Sequence, residues 1–287
     1  MRVFVVGGTG FVGRALVPLL LERGHTPLVL SRKPMDLPPG AVWLQGDIVR
    51  EVPDLRGAEA AIYLAGIIRE GPQTFRAVHV EGVRNLVEGM RRAGVGRLLH
   101  MSALGARRGT GSRYYETKAE GEEVVRQSGL SWTIFRPSLI FGPGDEFFGR
   151  VLKNLVCGPL PFVPLIGDGR FPFRPVYVGD VALAFVEALE RGVLGTYDLV
   201  GPRESAFREL LERVRETVGR KKPFLPIPLG LMDLLVPLMS LLPFAPLTKD
   251  QYVMLKGGNT APLSPEVLAL VPRPTPLEEV LPGYLRC

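Results

Sequence analysis

Two residue types that together carry out proton transfer lie four positions apart in this sequence. Tyr114 and Lys118 fall in a segment rich in Glu and Lys, residues 114–128, whose pattern predicts a helix. Residues four apart share one face of a helix, and a lysine ammonium beside a phenol lowers the pKa of the phenol. Such a tyrosine can donate a proton to a carbonyl or accept one from an alcohol. The alternative interpretation is a solvated pair on an exposed helix.

A glycine-rich turn at the start of the chain favours the catalytic interpretation. The apolar run Arg2–Val6 predicts a buried strand, Gly7, Gly10 and Gly13 follow at three-residue intervals, and residues 14–23 predict an amphipathic helix. Strand, glycine turn and helix are the order that a dinucleotide-binding βαβ unit requires. Glycine allows a tight turn and a close approach to a pyrophosphate, which the first helical N–H groups then face. An ordinary strand–helix turn is the alternative for the glycines alone.

Strand and helix patterns continue to alternate through the first half of the chain. Further strands are predicted at residues 27–30, 41–44, 60–64, 97–101 and 132–135, and a further helix at residues 75–93. Near-continuous apolar strands separated by helices indicate a parallel sheet that is covered on both faces. We therefore predict an α/β protein, a Rossmann-type doubly wound parallel sheet with a smaller C-terminal α/β substrate domain.

The regular alternation ends near residue 145, where a proline-rich region begins. The predicted division is a dinucleotide-binding domain at residues 1–145, to which residues 174–200 return, and a smaller substrate or partner domain at residues 146–173 and 201–287. Asp180 is the predicted N-cap of a helix that runs to Glu190. Strands are also predicted at residues 176–178 and 195–200, and a helix at residues 207–218.

The segment Leu229–Leu242 is almost entirely apolar and is interrupted by prolines. It is too short and too broken to span a bilayer. One interpretation is a helix that packs against the second domain. The other is an apolar surface for a membrane face, a lipid-like substrate or a protein partner.

Charge and histidine placement exclude two classes of function. The chain has 287 residues and a net charge of +6, but its longest basic block is Arg220–Lys222, so we expect no nucleic-acid binding. His25, His79 and His100 have no metal-type neighbours, so no metal site is expected. His100 lies in a predicted strand and is interpreted as a core residue with its hydrogen bonds satisfied.

The cysteines and the first residues bear on the compartment. Cys157 and Cys287 are far apart in the sequence and show no metal-type spacing, which fits reduced thiols. A buried-strand pattern that begins at residue 2 predicts that no signal peptide precedes it. We expect a cytoplasmic protein, with peripheral contact to the inner face of the membrane as an extension of this expectation.

The end of the second predicted strand indicates the coenzyme. Folds specific for NAD usually place Asp or Glu here to bind the ribose 2′-hydroxyl. This chain has Ser31, Arg32 and Lys33 instead, so a guanidinium is available for a 2′-phosphate. NADP(H) is therefore predicted as the preferred coenzyme, with NAD(H) as the alternative. The alternative interpretation of Arg32 is a solvated loop residue without a ligand.

Over nearly its whole length the chain resembles the short-chain dehydrogenase/reductase superfamily, in its extended or atypical branch. The matching motifs are Gly7, Gly10 and Gly13, Asp47-Ile48, Leu64-Ala65-Gly66, Asn85, Tyr114 with Lys118, Arg136-Pro137-Ser138, and Phe141-Gly142-Pro143-Gly144. The resemblance implies coenzyme contacts from Gly7, Thr9, Gly10, Phe11, Val12, Gly13, Ser31, Arg32, Lys33, Asp47, Ile48, Leu64, Ala65, Gly66, Met101, Lys118, Pro137, Ser138 and Ile140.

Within that branch the chain is similar to one group in particular. The runs His100–Ala106, Ser112-Arg113-Tyr114 and Leu247–Gln251 look like the nucleotide-binding accessory subunit of respiratory complex I and its free-standing bacterial relatives. The resemblance implies a tightly held NADPH and a link to respiration or quinone metabolism. It also implies contact with a respiratory complex as a candidate partnership.

One position departs from the superfamily pattern. Extended members carry two adjacent Ser or Thr residues at the end of the fifth strand, and the second polarises the substrate carbonyl. Here Ser102 aligns with the first and Ala103 occupies the second. Losing such a donor typically costs about 100-fold or more in rate, so Ser102 is the remaining candidate for orienting the carbonyl.

These observations lead to one main function and two alternatives. The main one is an NAD(P)(H)-dependent oxidoreductase in which Tyr114 is the acid/base, Lys118 tunes it and Ser102 orients a carbonyl of a hydrophobic, quinone-related substrate. The first alternative is a catalytically weak NADPH-binding accessory or assembly protein of a respiratory complex. The second is a nucleotide-sugar epimerase or dehydratase.

Overall fold

The computed structural model of this protein describes residues 1–239 and 247–287, which form two compact units. The first unit comprises Met1–Pro137, Val178–Leu199 and Ser264–Pro272, and the second comprises Ser138–Tyr177, Val200–Leu263 and Arg273–Cys287. The units therefore separate at Pro137, ahead of residue 145, and the short segment Ser264–Pro272 belongs to the first.

The strands and helices are numbered in chain order. The strands are β1 (Arg2–Val6), β2 (Thr26–Ser31), β3 (Val42–Gln45), β4 (Ala60–Tyr63), β5 (Arg97–Met101), β6 (Ser131–Pro137), β7 (Ile140–Phe141), β8 (Val163–Ile166), β9 (Pro172–Phe173), β10 (Val176–Tyr177), β11 (Gly195–Leu199), β12 (Ser205–Ala206) and β13 (Phe224–Ile227). The helices are α1 (Phe11–Glu22), α2 (Gly82–Ala93), α3 (Arg113–Arg126), α4 (Lys153–Cys157), α5 (Val178–Glu190), α6 (Phe207–Thr217), α7 (Leu229–Met239), α8 (Lys249–Gly257), α9 (Pro265–Leu270) and α10 (Leu277–Tyr284). Two π-helical turns, Ala77–Glu81 and Phe147–Leu152, precede α2 and α4.

A seven-stranded sheet of parallel strands forms the centre of the first unit. Its spatial order is β11-β6-β5-β4-β1-β2-β3, so the order reverses between β1 and β4. In open sheets of this kind ligands bind beyond the carboxyl ends of the strands at the reversal. The predicted Rossmann-type doubly wound sheet is confirmed, and it places the glycine turn after β1 beside the end of β4.

The apolar runs form central strands because both of their faces are buried. Val3, Phe4 and Val5 of β1 are fully buried. Helix α2 covers one face with apolar residues at the spacing of a single helix face, Val83, Leu86, Val87 and Met90. Burying one such aliphatic side chain stabilises the fold by about 1.5–3 kcal/mol.

Two predicted elements differ from the structure in detail. Asp180 lies in the first turn of α5, because that helix begins two residues earlier at Val178, and it is therefore not the N-cap. The predicted helix at residues 75–93 is widened by the π-helical turn before α2. The other predicted elements within the described residues match observed ones to within about three residues, and the largest difference is at α1, which begins at Phe11 rather than at residue 14.

The second unit has its own core, built on aromatic residues from its short strands and helices. Its members include Phe141, Phe148, Phe173 and Phe207, together with Leu210 of α6. Three two-stranded pairings support this core, β7 with β10, β9 with β12, and β8 with β13. Of the apolar segment predicted at residues 229–242, residues 229–239 form α7 and the rest lie outside the described residues.

A disulfide within the second unit corrects the prediction of reduced thiols. Cys157 at the end of α4 and Cys287 are bonded, with their Cα atoms 5.6 Å apart. The two residues are 130 positions apart in the sequence, and sequence distance alone does not limit how closely the fold brings them together. None of the helices found in residues 1–239 and 247–287 is long and apolar enough to cross a membrane.

Candidate cofactor and catalytic site

Each glycine of the turn after β1 has a different structural reason. Gly7 has a φ of +82°, and a Cβ on it would lie 2.7 Å from the backbone nitrogen of Ala65. A Cβ on Gly13 would lie 2.4 Å from the carbonyl oxygen of Gly7, so α1 packs directly against the turn. A Cβ on exposed Gly10 would meet only the Gly7 oxygen, at 3.3 Å. Gly7 and Gly13 therefore allow close packing of the backbone, while Gly10 lies on the exposed side of the turn.

The start of α1 supplies the group that an anion needs. Gly10 is the N-cap residue and provides no side-chain hydrogen bond to the first turn. The uncapped N–H groups of this turn carry the positive end of the helix dipole. Nearby, Arg14 donates from Nε to the carbonyl oxygen of Thr9 at 3.2 Å, and Phe11 is half-buried while Val12 is buried. This cradle fits the pyrophosphate of a dinucleotide.

The end of β2 presents positive charge to solvent. Ser31 accepts a hydrogen bond from Trp43 Nε1 at 3.1 Å and donates to the carbonyl oxygen of Lys33 at 2.5 Å, which fixes the bend after the strand. Arg32 and Lys33 themselves are exposed. Within the described part of the chain no carboxylate forms an ion pair with either of them, so their charges are available to a ligand.

Asp47 and Ile48 form a braced turn after β3. Asp47 Oδ1 accepts the N–H of Val49 at 3.1 Å, and Asn85 of α2 donates from Nδ2 to the carbonyl oxygen of Ile48 at 2.7 Å. Asn85 therefore holds this turn from α2. The other carboxylate oxygen of Asp47, Oδ2, lies 3.6 Å from Nε of Arg50.

The turn after β4 brings the glycine turn and the predicted catalytic lysine together. Leu64 is buried and Ala65 lies against Gly7. A Cβ on Gly66 would lie 3.0 Å from Nζ of Lys118. Because Ala65 and Gly66 are small, this turn contacts both the glycine turn at Gly7 and Lys118 of α3. Gly7 and Lys118 lie more than a hundred residues apart in the sequence.

Lys118 is buried and Tyr114 is half-buried on the same face of α3. Lys118 is 3% exposed and its Nζ donates to the carbonyl oxygen of Met101 at 3.2 Å. Burial lowers the pKa of Lys118 to about 8, while Glu122 opposes that shift. Burial raises the pKa of Tyr114, with a smaller contribution from Tyr115. The predicted lowering of the phenol pKa by the lysine is therefore wrong for this structure, because burial removes hydration from the phenol and both causes that act on its pKa raise it.

His79 joins this site although the sequence pattern did not single it out. Its Nε2 accepts the N–H of Ile67 at 3.3 Å, so the proton lies on Nδ1, which donates to Thr117 Oγ1 at 2.9 Å. The ring stands edge-on to Tyr114, with centroids 5.4 Å apart. Burial, then the charges of Lys118 and His100, lower the pKa of His79 to about 2, so it stays neutral. His79 is a positioning residue that connects the turn after β4 to α3.

A buried tyrosine explains why the backbone widens at His79. The hydroxyl of Tyr63, at the end of β4, donates to the carbonyl oxygen of Val78 at 2.5 Å. That hydroxyl would lie 2.4 Å from a Cβ on Gly82, so only glycine leaves room for it. The N–H of Gly82 bonds to the carbonyl oxygen of Ala77, five residues back. π-Helical turns of this kind frequently occur at functional sites.

Ser102 is buried at the end of β5 and interacts with Glu122 rather than with a second hydroxyl. Its oxygen makes no hydrogen bond of regular geometry within the described chain, yet it helps to lower the pKa of the Glu122 carboxyl. Burial opposes that lowering, and Arg136 is the strongest favourable cause. Arg136 donates to Glu122 from Nε at 2.7 Å and from Nη2 at 2.6 Å. This ion pair between buried Glu122 and half-buried Arg136 joins α3 to β6.

His100 is a buried histidine without satisfied nitrogens. It is 1% exposed, and neither ring nitrogen finds a hydrogen-bond partner among the residues that the structure describes. The prediction of a satisfied core histidine is therefore wrong in that respect. Burial is the main cause that lowers the pKa of His100 to about 3, and the charge of Lys118 adds to it.

The last predicted coenzyme residues divide between the two units. Pro137 belongs to the first unit, and its carbonyl oxygen accepts the N–H of Leu104 at 2.9 Å. Ser138 and Ile140 belong to the second, where Ser138 Oγ donates to the carbonyl oxygen of Arg174 at 2.5 Å and Ile140 pairs with Val176. Within residues 1–239 and 247–287, no three or more His, Cys, Asp or Glu side chains lie together in a group that could hold a metal ion.

Comparison with known proteins identifies the first unit. A family profile described as NAD(P)H-binding matches residues 7–145. The chain is 31% identical to the ceramide reductase of Caulobacter vibrioides, covering 79% of this chain and 73% of that protein. It is 32% identical to sterol demethylase protein B of Methylococcus capsulatus, covering 81% and 79% of the two chains.

A respiratory protein is also similar. Identity to the mitochondrial NADH dehydrogenase [ubiquinone] 1 alpha subcomplex subunit 9 of Arabidopsis thaliana is 31%, over 78% of this chain and 60% of that protein. Among solved structures, the UDP-glucose 4-epimerase of Thermus thermophilus in complex with NAD superposes with a TM-score of 0.73 at 24% identity, covering 99% and 97% of the two chains. That last similarity concerns the fold alone.

Proposed function

This chain belongs to the NAD(P)-binding short-chain dehydrogenase/reductase superfamily, in its epimerase-like branch, and on that premise we propose that it is an NADPH-dependent oxidoreductase. Its proposed substrate is the carbonyl, or the corresponding alcohol, of an apolar molecule of the lipid or quinone type. The observation that carries the proposal is the position of Lys118, buried on the face of α3 that it shares with Tyr114 and beside Gly66. Lysine is rarely buried unless it has a partner. A dinucleotide bound at the glycine turn, which lies against Ala65, would be such a partner.

Each site residue has a defined part in this chemistry. The bound coenzyme would supply the hydride to the carbonyl carbon. Tyr114 gives its phenolic proton to the carbonyl oxygen, and Lys118, buried on the same face of α3, would hold the coenzyme. His79 holds Thr117 and the edge of the Tyr114 ring, so the phenol is oriented before substrate arrives. Ser102 is the proposed orienting hydroxyl, and its buried oxygen makes no hydrogen bond of regular geometry to the described residues.

The coenzyme preference is proposed from the charges after β2. Arg32 and Lys33 are exposed, and a carboxylate that would bind a ribose 2′-hydroxyl is absent from the run Ser31-Arg32-Lys33. A guanidinium binds a phosphate through paired hydrogen bonds. NADPH is therefore favoured over NADH.

The apolar substrate class is supported by two relatives and by composition. The names of the bacterial relatives refer to a ceramide and to sterols, which are both lipids. Phenylalanines from β7, β9 and α6 dominate the core of the second unit, and asparagine occurs only at three positions in the whole chain. A pocket for a sugar needs more amide and hydroxyl side chains than this composition offers.

The test combines coenzyme oxidation with a single-atom change. Purified protein is incubated with NADPH and with long-chain ketones, 3-keto lipids and quinones, and absorbance of NADPH is followed. We expect turnover with at least one apolar carbonyl, a loss of about 100-fold or more in Tyr114→Phe, and unchanged NADPH affinity in that variant. Tyr197→Phe, a change on β11 that removes a hydroxyl donating to the carbonyl oxygen of Leu194, is the matched control. Equal turnover in Tyr114→Phe and the parent protein would refute the catalytic assignment.

A second candidate function is that of an NADPH-binding accessory protein of a respiratory complex. The similarity to the NADH dehydrogenase subunit favours it, as does Ala103 at the position where a second hydroxyl would be expected. In that case NADPH binds but no substrate in the panel is reduced. A nucleotide-sugar epimerase is the third candidate, and adding UDP-glucose with NAD to the same assay tests it.

A further inference from the structure

Helix α7 has one face that is exposed in the described part of the second unit. Leu231, Leu234 and Leu238 recur three and four residues apart and are 46%, 72% and 66% exposed. Residues at this spacing lie on one side of a helix. Exposed leucines scattered singly are ordinary, but three on one helix face form a contiguous apolar surface. We call these three residues the leucine face.

The opposite side of α7 is firmly attached to the second unit. Met232 and Val236 are buried together with Tyr252 of α8. Asp233 accepts hydrogen bonds from the Tyr252 hydroxyl at 2.9 Å and from Lys256 Nζ at 2.7 Å. The rotation of α7 is therefore fixed, and the one acidic residue of this helix is neutralised by a lysine.

The sequence around the leucine face is basic and apolar. Residues 218–256 contain five basic residues, Arg220, Lys221, Lys222, Lys249 and Lys256, and two acidic ones, Asp233 and Asp250. The run at residues 240–246, which follows α7, contains no charged residue. A second copy of this chain would bring the same positive charges to the contact and be repelled. An anionic lipid surface supplies both the apolar interior and the negative charge that this segment complements.

We propose that the leucine face is a docking surface for an anionic bilayer. The leucines enter the boundary between headgroups and acyl chains, and Arg220, Lys221 and Lys249, which flank α7 in the sequence, bind the lipid phosphates. The helix lies along the surface of the membrane and is held there by reversible contacts. Docking places the second unit where apolar molecules concentrate, and it takes place whether or not the chain has reductase activity.

Flotation with lipid vesicles tests this proposal on the full-length protein. The protein is mixed with vesicles of phosphatidylcholine alone or with about one third phosphatidylglycerol, and the bound fraction is measured after centrifugation. We expect binding to the anionic vesicles. The double variant Leu234→Ser with Leu238→Ser should bind at least about tenfold more weakly, since two leucines no longer leave water. The matched control is Leu194→Ser, because Leu194 in the first unit is 54% exposed.

A second pair of substitutions tests the charge. Arg220→Gln with Lys221→Gln should weaken binding to anionic vesicles by about tenfold or more, and salt should weaken the binding of the parent protein. Thermal unfolding confirms that each variant is folded. The proposal is overturned by absent vesicle binding or by equal binding of the leucine variant. It is also overturned if the leucine variant changes only the oligomeric state seen by light scattering, because the face would then be a contact between copies.

Discussion

At the scale of single residues, the site concentrates one positive charge among groups that are kept neutral. Burial is the main cause that lowers the pKa of both His79 and His100, and the charge of Lys118 adds to it. The result is one cation, two neutral imidazoles and a protonated phenol near the end of β4. A proton-transfer site benefits from this difference in pKa, because Lys118, whose pKa is about 8, is then the one group of these four that titrates close to neutral pH.

A prediction about acid stability follows from His100. Its pKa is about 3 in the folded protein and about 6.5 when unfolded, so between these values the unfolded state binds the additional proton. The contribution of His100 to the free energy of unfolding is therefore fully present above about pH 6.5. It is lost as the pH falls below that value, by up to about 1.4 kcal/mol per pH unit. His100→Leu should lose less stability than the parent protein between pH 7 and pH 4.5 (roughly) in denaturant titrations. Parallel losses in both proteins would contradict the buried, neutral assignment.

Arg32 carries the prediction about the coenzyme. Arg32→Ser should weaken NADPH binding by about tenfold or more and leave NADH binding unchanged, because only NADPH has the phosphate that the guanidinium would bind. Calorimetric titration of both coenzymes measures the two affinities. Arg92→Ser, an exposed change on α2, is the control. An equal loss of affinity for both coenzymes would show that Arg32 does not bind the 2′-phosphate.

Sequence patterns were a good guide to residues whose reason is local. The roles of Gly7 and Gly13 follow from a tight turn, and the exposed charge at Arg32 follows from its position after a strand. His79 could not be assigned in this way, because Thr117, its partner, is 38 positions away. The pKa of Tyr114 was predicted in the wrong direction, since burial cannot be judged from the spacing of two side chains.

At the scale of elements, the contact of α1 with the turn after β1 is one of the closest approaches in the first unit that its glycines reveal. Gly13 lies against the backbone of Gly7 and Gly8, with no space for a methyl group. This contact fixes the position of the first turn of α1, which begins after Gly10. Any displacement of the helix would therefore move the N–H groups of that turn.

Gly13→Ala should therefore affect both stability and ligand binding. We expect a loss of about 2–3 kcal/mol or more in the free energy of unfolding, because backbone must shift to admit the Cβ, and a large loss of NADPH affinity. Gly96→Ala is the matched control, since nothing lies within 4 Å of its added Cβ, and it should change stability by about 1 kcal/mol or less. Chemical denaturation measures the first effect and coenzyme titration the second. A fully stable Gly13→Ala protein would contradict this packing.

Elements were predictable where one pattern specified them. The strands of the sheet are short apolar runs between turn residues, and the amphipathic spacing of α2 identifies its buried face. The π-helical turn before α2 was not predictable, because it depends on the Tyr63 hydroxyl meeting Gly82 across the fold. The start of α5 was misplaced because Asp180 is acidic near a helix start, which suits both an N-cap and a first-turn residue.

At the scale of the whole molecule, the disulfide stabilises the second unit by joining distant segments. A bond that closes a loop of this length is expected to contribute about 2–5 kcal/mol, mainly by restricting the unfolded chain. Cys157→Ser should lower the unfolding midpoint under oxidising conditions, and a reductant should lower the midpoint of the parent protein but not of the variant. Mass measurement with and without reductant establishes whether the bond is present. If reductant leaves the parent protein's midpoint unchanged, this bond does not stabilise the fold.

Neither compact unit is a continuous stretch of chain, and this has a consequence for biosynthesis. The seventh strand of the large sheet, β11, emerges from the ribosome only after the chain has passed through residues of the other unit. The thiol that pairs with Cys157 is at position 287, so that link cannot form until the peptide has been synthesised to that point. Nascent chains halted before then would expose unpaired sheet edge or unlinked sulfur, and chaperones would have to shield both.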